Sequence, residues 1–306
     1  MICRKVISLL IKLSTKKFWL VFITLLLVFI LLLSGCNMFT TKSTNKSTPT
    51  TWGTPTPKLS TVLKDAIILP SSSQNFPKLQ KITEDSQSIP ILYYHSIKSV
   101  AKNELCMSPD KFEKQIAYLS QHGYHCITMT QLYDFFYGNG QLPEKPIVIT
   151  FDDGYKDNYT TAFPILKKYN FTATVFVITS NVGHSNNLSW SQLKDLINNG
   201  WLVESHTVSH YDLTKLDSTK LAQELNDSKT DLEKQLGTKV DYFAYPSGRF
   251  NKNVEMAVKN AGYLMAFTTQ RGWADRSMDP LLIHRVYCFA SMEIEGFGQK
   301  VQNPKH

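Results

Sequence analysis

Residues 146–154, Pro-Ile-Val-Ile-Thr-Phe-Asp-Asp-Gly, are the stretch that best indicates the fold. The residues before the aspartates are almost all apolar, which is typical of a strand buried on both faces in a parallel sheet. Two carboxylates, Asp152 and Asp153, follow directly, where desolvating them is costly unless they have a task. The alternative interpretation is a simple turn, because Asp-Gly pairs are frequent in turns.

The same pattern continues on both sides of this segment. From Ile89 onward, short apolar runs alternate with amphipathic segments such as residues 109–122, 190–198 and 219–236, which predict helices. About eight such alternations in roughly 200 residues predict an α/β fold, a distorted (β/α) barrel with about seven to eight parallel strands. A doubly wound open sheet is the alternative, but no glycine-rich phosphate-binding loop supports it.

A second polar cluster, His206-Thr207-Val208-Ser209-His210, follows the predicted strand at residues 201–204. The histidine spacing predicts that both rings lie on one face of a helix and share a metal ion, although two surface histidines are the alternative. Threonine stands where an HExxH protease has its glutamate, which argues against that class. With one aspartate the histidines make three ligands of a catalytic metal site, for which zinc is the expected ion.

A third segment, Tyr245-Pro246-Ser247-Gly248, ends another predicted strand. The proline and glycine predict a tight turn that can aim a backbone N–H into the site. An ordinary loop has the same composition, so this segment alone decides nothing.

In this order the three motifs resemble those of the polysaccharide deacetylase family, which has the NodB-homology domain and is also called carbohydrate esterase family 4. The resemblance runs from about residue 89 to residue 290. Residues 90–96, Pro-Ile-Leu-Tyr-Tyr-His-Ser, resemble the poly-N-acetylglucosamine deacetylase branch. In that branch the motif with the catalytic histidine lies on the N-terminal side of the domain.

The resemblance implies a role for each matching residue. Asp153, His206 and His210 would bind a divalent metal ion, and Asp152 would be the general base that takes a proton from water. His95 would be the general acid that protonates the leaving amine. The backbone N–H of Ser247 would stabilise the oxyanion.

The chain departs from the family pattern near the third motif, because no arginine precedes Tyr245 and a serine follows Pro246. The partner that orients Asp152 is therefore open, and Arg285 is a candidate. His284 competes with His95 for the role of general acid. Strand alternation would point His284 and Arg285 to opposite faces, which favours His95.

The N-terminus has the pattern of an exported protein. A basic start and an apolar run at residues 18–33 precede Leu33-Ser34-Gly35-Cys36, and together they resemble a bacterial lipoprotein signal. Residues 1–35 are the predicted signal peptide, residues 36–88 a Ser/Thr/Pro-rich linker, and residues 89–306 the deacetylase domain. Acylation of Cys36 would hold the protein on the outer face of the bacterial cytoplasmic membrane. An uncleaved membrane-spanning segment is the alternative.

Charge and cysteines narrow the possible partners. The formal net charge is +8, but five of the positive charges lie in residues 1–35, so the remainder carries about +3. That balance indicates no nucleic-acid partner, and no protein partner is inferred. Three cysteines remain after the linker: Cys106, Cys126 and Cys288. A Cys106–Cys126 disulfide is possible, but three free thiols are the favoured interpretation.

The predicted function is metal-dependent removal of N-acetyl groups from N-acetylglucosamine units of an extracellular polysaccharide. The polymer would be a poly-N-acetylglucosamine-like exopolysaccharide or peptidoglycan. Two alternatives stay open: an O-acetyl polysaccharide esterase, and a non-catalytic glycan-binding lipoprotein on the cell surface. A non-haem iron oxygenase also uses two histidines and a carboxylate, but it has no use for the second aspartate.

Overall fold

A computed structural model describes residues 88–304. The predicted signal peptide, Cys36 and the linker up to residue 87 lie outside the described residues. The strands are β1 (Ser88–Ile89), β2 (Ile91–Tyr94), β3 (His125–Cys126), β4 (Pro146–Phe151), β5 (Thr174–Val177), β6 (Leu202–Ser205), β7 (Tyr242–Ala244), β8 (Met265–Arg271), β9 (Ala274–Asp275) and β10 (Ile283–Tyr287). The α-helices are α1 (Pro109–Gln121), α2 (Met129–Tyr137), α3 (Phe163–Lys168), α4 (Trp190–Asn198), α5 (Ser218–Leu236), α6 (Lys252–Asn260) and α7 (Ile294–Gln302).

Seven parallel strands form a closed barrel in the order β2-β10-β8-β7-β6-β5-β4. The ring closes because β4 also pairs with β2, with Ile91 opposite Val148 and Tyr94 opposite Phe151. Strand β3 pairs with the start of β4 as an additional strand, and β1 pairs with β9 in a separate antiparallel ribbon. The predicted distorted barrel is confirmed, and the closure excludes the open-sheet alternative.

Alternation along β4 explains how one strand supports two layers. Ile147, Ile149 and Phe151 pack outward against the helices, whereas Val148 packs in the separate cluster inside the barrel. The Phe151 ring stacks on Trp201, with ring centroids 5.5 Å apart. Because successive side chains of a strand point to opposite faces, a strand apolar on both faces fits only between two such layers.

Helices α1 and α4 begin where the sequence predicts. Ser108 caps α1 by accepting a hydrogen bond from the backbone N–H of Lys111 at 3.4 Å, and Pro109 occupies the first turn. Helix α4 has the predicted bounds, Trp190–Asn198. Helix α7 was not predicted; it packs on α1, where the Tyr118 ring lies edge-on to Phe297 at 5.9 Å.

The cysteines of the described chain are free. Cys106 and Cys288 are buried and Cys126 is half-buried, so the possible Cys106–Cys126 disulfide is not formed. Burial raises the pKa of the Cys288 thiol to about 12, which makes that thiol unreactive at neutral pH. Within residues 88–304, none of the helices has the length and apolar character needed to cross a membrane.

Because all seven strands of the barrel run the same way, their carboxyl ends meet at one mouth. The residues that follow β2, β4, β6 and β7 include His95, Asp152, His206 and Ser247. The fold therefore collects the predicted site residues at one end of the barrel.

Candidate metal centre and its neighbours

Asp153, His206 and His210 bring their side-chain ligand atoms within 4.8 Å of one another. The Oδ1 atom of Asp153 lies 3.4 Å from Nε2 of His206 and 3.7 Å from Nε2 of His210. His206 is buried, and the other two side chains are partly exposed. Two imidazole nitrogens and one carboxylate oxygen, open to solvent on one side, fit a divalent metal ion.

The ring of His206 is held by the neighbouring strand. Its Nδ1 donates a hydrogen bond to the carbonyl oxygen of Ala244 at the end of β7, over 2.7 Å. A carbonyl only accepts, so a proton sits on Nδ1, and Nε2 is the ring atom that faces Asp153 and His210. Such a backbone contact is the usual way to orient a histidine toward a metal ion.

The segment that carries both histidines is a loop, not a helix. The prediction that they share a helical face was therefore wrong, although their rings do meet, with centroids 4.8 Å apart. Thr207 and His210 have φ angles of 70° and 56°, which interrupt any helix. The N–H of His210 instead donates to Oγ1 of Thr207 at 2.8 Å.

Unfavourable backbone angles concentrate at this mouth. Seven non-glycine residues of the described chain have positive φ, and four of them are Asp153, Thr207, His210 and Ser247. Residues with a Cβ rarely adopt such angles, which cost about 1–3 kcal/mol each and persist only where the surroundings enforce them. Strain of this kind is typical of functional sites.

Asp152 forms a buried ion pair with Arg285 of β10. The two carboxylate oxygens accept from the two terminal guanidinium nitrogens, each at 2.8 Å. Burial on its own would raise the pKa of Asp152, but the Arg285 guanidinium holds the pKa of that carboxyl well below its usual range. The carboxylate is therefore ionised at neutral pH and fixed in orientation.

Arg285 is itself held from several sides. Its Nε donates to the carbonyl oxygen of Thr268 at 3.1 Å, and the guanidinium lies over the Tyr93 ring, 4.3 Å from its centroid. One terminal nitrogen also donates to Oγ1 of Thr150 at 3.3 Å. The sequence analysis named Arg285 only as a candidate and missed its contacts Tyr93, Thr150 and Thr268. Strand alternation could have indicated two of them, because it places Tyr93 and Thr150 on the side of their strands that faces the inside of the barrel.

His95 lies directly after β2, where its half-buried ring packs edge-on against Tyr93 at 5.9 Å. Within residues 88–304 its buried Nδ1 has no hydrogen-bond partner. Burial lowers the pKa of His95 below its ordinary value, although the negative charges of Asp152 and Asp153 oppose that shift. The imidazole is therefore neutral at pH 7 in this structure.

His284, the competing candidate, lies on the other face of β10 from Arg285. It is half-buried beside Gly272, whereas Arg285 is fully buried and contacts Asp152. The structure thus brings His95 to the barrel mouth and leaves His284 outside it.

Ser247 lies in the turn after β7, three residues beyond the carbonyl that holds His206. Its φ of 54° turns the chain sharply, and within residues 88–304 its N–H has no acceptor. Gly248 has no room for a side chain, because an added Cβ would lie 1.9 Å from Oγ1 of Thr269. The turn is therefore fixed in shape while the Ser247 N–H stays available to a ligand.

Fold and site together define an enzyme of the β/α-barrel class, because parallel barrels carry their chemistry at the mouth where these groups meet. Comparison with known proteins identifies the family within this class. The sequence profile described as polysaccharide deacetylase matches residues 139–266. YxkH of Bacillus subtilis, whose name assigns it to the polysaccharide deacetylases, is 35% identical over 223 residues, which are 73% of this chain and 79% of that protein. The chain belongs to the polysaccharide deacetylase family and is a hydrolase of carbon–nitrogen bonds.

Solved structures agree in fold and in sequence. The deacetylase PplD of Streptococcus pyogenes, determined in complex with acetate, is 32% identical; the match covers 71% of this chain and 99% of that one with a TM-score of 0.67. IcaB from Ammonifex degensii is 27% identical over 71% of this chain and 96% of its own, with a TM-score of 0.61. A poly-β-1,6-N-acetyl-D-glucosamine N-deacetylase of Staphylococcus aureus is 31% identical over 58% of this chain and 66% of that protein.

Proposed function

We propose that this protein is a metal-dependent deacetylase of N-acetylglucosamine units in an extracellular polysaccharide, either a poly-N-acetylglucosamine-like polymer or peptidoglycan. The single observation that carries the proposal is the meeting of Asp153, His206 and His210 beside the buried Asp152–Arg285 pair. The similarity to the staphylococcal poly-N-acetylglucosamine deacetylases supports the first of the two polymers.

Asp153, His206 and His210 would hold the metal ion, for which zinc is our proposal. When bound, a divalent ion supplies Lewis acidity, which polarises a carbonyl oxygen and lowers the pKa of water. The three side chains leave room for substrate because two of them are partly exposed.

Asp152 would act as the general base by accepting a proton from water on a carboxylate oxygen. The resulting hydroxide attacks the acetyl carbon, and the N–H of Ser247 donates to the oxyanion that forms. The fork of Arg285 keeps the carboxylate in place but also makes it a weak base, since it depresses the pKa of Asp152. Orientation rather than basicity is therefore the contribution of this pair.

His95 would donate a proton to the sugar nitrogen as the carbon–nitrogen bond breaks, so that acetate and a free amine are released. The imidazole is neutral in this structure and must first gain a proton. The carboxylates of Asp152 and Asp153 favour that gain, because each raises the pKa of His95.

The experiment that tests the function is acetate release from N-acetylglucosamine oligomers by the purified protein, before and after chelation and after zinc is restored. We expect release to disappear with the metal and to return with zinc. Release that is equal in chelated and zinc-loaded protein would refute the metal dependence. A zinc-loaded protein that releases acetate only from O-acetylated sugars would identify it as an esterase.

His95→Ala is expected to slow amide hydrolysis by about 10²–10⁴-fold. It should slow hydrolysis of an acetate ester much less, because an alkoxide leaves without full protonation far more readily than an amine anion. The measurement is kcat for both substrates in wild type and variant. His284→Ala is the matched control and should leave both rates unchanged; an equal loss for amide and ester in His95→Ala would exclude the acid role.

We further propose that Cys36 carries the lipid that holds the protein on the outer face of the bacterial cytoplasmic membrane. The support is the basic start, apolar run and Leu-Ser-Gly-Cys sequence at residues 33–36. Cys36→Ala should abolish the incorporation of a labelled fatty acid into the protein. Equal labelling of variant and wild type would reject Cys36 as the acylation site.

A further inference from the structure

Helix α5 buries a carboxyl group on a largely apolar face. The face that packs on the barrel includes Leu221, Leu225 and Leu232, yet it also contains Glu224 and Ser228, which are 1% and 0% exposed. Burying a carboxyl group is unfavourable unless partners compensate its lost hydration. A glutamate at this position therefore needs a reason beyond packing.

The partners of both polar residues belong to the histidine loop. An Oε2 atom of Glu224 accepts a hydrogen bond from the backbone N–H of Ser209 at 2.7 Å. One helical turn further on, the Ser228 hydroxyl bonds to the Ser205 hydroxyl at 2.8 Å. Ser205 and Ser209 stand directly before His206 and His210, so the helix holds the loop at the residue next to each histidine.

These two contacts continue into the loop itself. The Ser205 hydroxyl accepts from the N–H of Thr207 at 3.3 Å, and the Thr207 hydroxyl accepts from the N–H of His210 at 2.8 Å. Thr207 and His210 are the two residues of this loop with positive φ. Because such angles are unfavourable for these residues, the external bond at Ser209 helps to hold a shape that the loop would not keep by itself.

The second carboxyl oxygen of Glu224 indicates that an ion pair is not the role of this residue. Within residues 88–304, Oε1 has no hydrogen bond, although it is buried. The nearest cation, Nζ of Lys220, is 3.8 Å away on a side chain that is 47% exposed. An ion pair along the helix therefore does not account for the glutamate, and the short bond to Ser209 does.

We propose that Glu224 is a positioning residue of the metal centre, whose carboxyl group sets the loop that presents His206 and His210. The inference rests on the proposed function, since it takes these histidines as metal ligands. Without the acceptor, the Ser209 N–H loses its buried partner, the loop relaxes from its left-handed angles, and Nε2 of His210 leaves its place near Asp153. Groups that orient metal ligands in this way typically change metal affinity by about 10–100-fold when they are removed.

The test compares three substitutions in the full protein by zinc affinity, measured in competition with a coloured chelator. Glu224→Leu removes the acceptor at similar size and should weaken zinc binding by about 10–100-fold. Glu224→Gln keeps a side-chain carbonyl oxygen for the Ser209 N–H and should retain most of the affinity. Leu232→Ala is the control: it lies on the same buried face about 12 Å along the helix, and it should lower the melting temperature without weakening zinc binding.

Hydrogen exchange of the metal-free protein gives a second readout that does not depend on zinc. In Glu224→Leu the amides of residues 205–210 should exchange faster than in wild type, whereas Leu232→Ala should not single out this loop. If Glu224→Leu does not fold, Glu224→Asp takes its place, because its shorter side chain keeps the charge but cannot reach Ser209; it should bind zinc more weakly than Glu224→Gln.

Wild-type affinity in Glu224→Leu, or equal loss in Glu224→Gln and Glu224→Leu, would overturn the positioning role. Failure of the wild-type protein to bind zinc would instead count against the proposed metal centre. The two ideas therefore fail in different measurements.

Discussion

Asp152→Asn is expected to lower kcat for acetate release by about 10³-fold, within the range found when a general acid or base is removed. Asparagine keeps the shape of the side chain and one oxygen for Arg285, but it cannot take a proton from water. Zinc affinity should change little, because Asp153, His206 and His210 are untouched. The measurement is steady-state acetate release beside a zinc titration of the same preparation.

Asp195→Asn is the matched control for this substitution. Asp195 lies on the outer helix α4, where it accepts a hydrogen bond from the Tyr159 hydroxyl at 2.8 Å. It is not one of the proposed site residues at the barrel mouth. It should retain wild-type kcat. If Asp152→Asn released acetate at a rate within a few fold of wild type, another group would have to be the base.

Arg285→Met is expected to destabilise the folded protein by about 3–5 kcal/mol, the usual cost of leaving a buried charge without its partner. Arg285 is 0% exposed and donates to both oxygens of Asp152. Methionine fills much of its volume but has no charge, so the Asp152 carboxylate is left without a partner. Urea unfolding at neutral pH measures the loss. The free energy of unfolding of Arg285→Lys should lie between those of wild type and Arg285→Met, because an ammonium group keeps the charge but lacks the planar fork.

The double variant Asp152→Asn/Arg285→Met separates charge from packing. Removing both charges leaves no unpaired ion, so most of the stability should return although activity stays low. A double variant as unstable as Arg285→Met would show that packing of the arginine stem, not the ion pair, is what stabilises the barrel.

The ion pair should contribute less to the free energy of unfolding in acid. Since the folded-state pKa of Asp152 lies below its ordinary value of 3.8, the stabilising contribution is present above that pH and fades as the pH falls further.

The barrel could be predicted because its signals are local. The apolar run of β4 and the caps and periodicity of α1 and α4 gave element bounds that match or nearly match the structure. The short β1–β9 ribbon and helix α7 were missed, since each is stabilised mainly by distant contacts. Barrel closure is such a contact too, and the sequence predicted it only through the number of strands.

The candidate site divides in the same way. Residue type and spacing were enough to nominate Asp153, His206 and His210, but they gave the wrong local conformation for the histidines. A helical spacing and a loop with two left-handed residues can bring the same rings together, and only the bonds to neighbouring strands decide between them. The pairing of Asp152 with Arg285 spans 133 residues, a choice of partner that no local pattern encodes.

The closure of the barrel also determines when the site can be completed during synthesis of the chain. Strand β10 pairs with β2, so that Val286 lies opposite Leu92, and this pairing forms only after β10 has been synthesised. A nascent chain that has reached residue 260 already contains every proposed metal ligand, yet it lacks the arginine that fixes Asp152. Contacts between such distant segments also form slowly. Closure and the onset of activity should therefore follow the synthesis of β10, and a chain that ends before residue 283 would lack both the closing strand and Arg285.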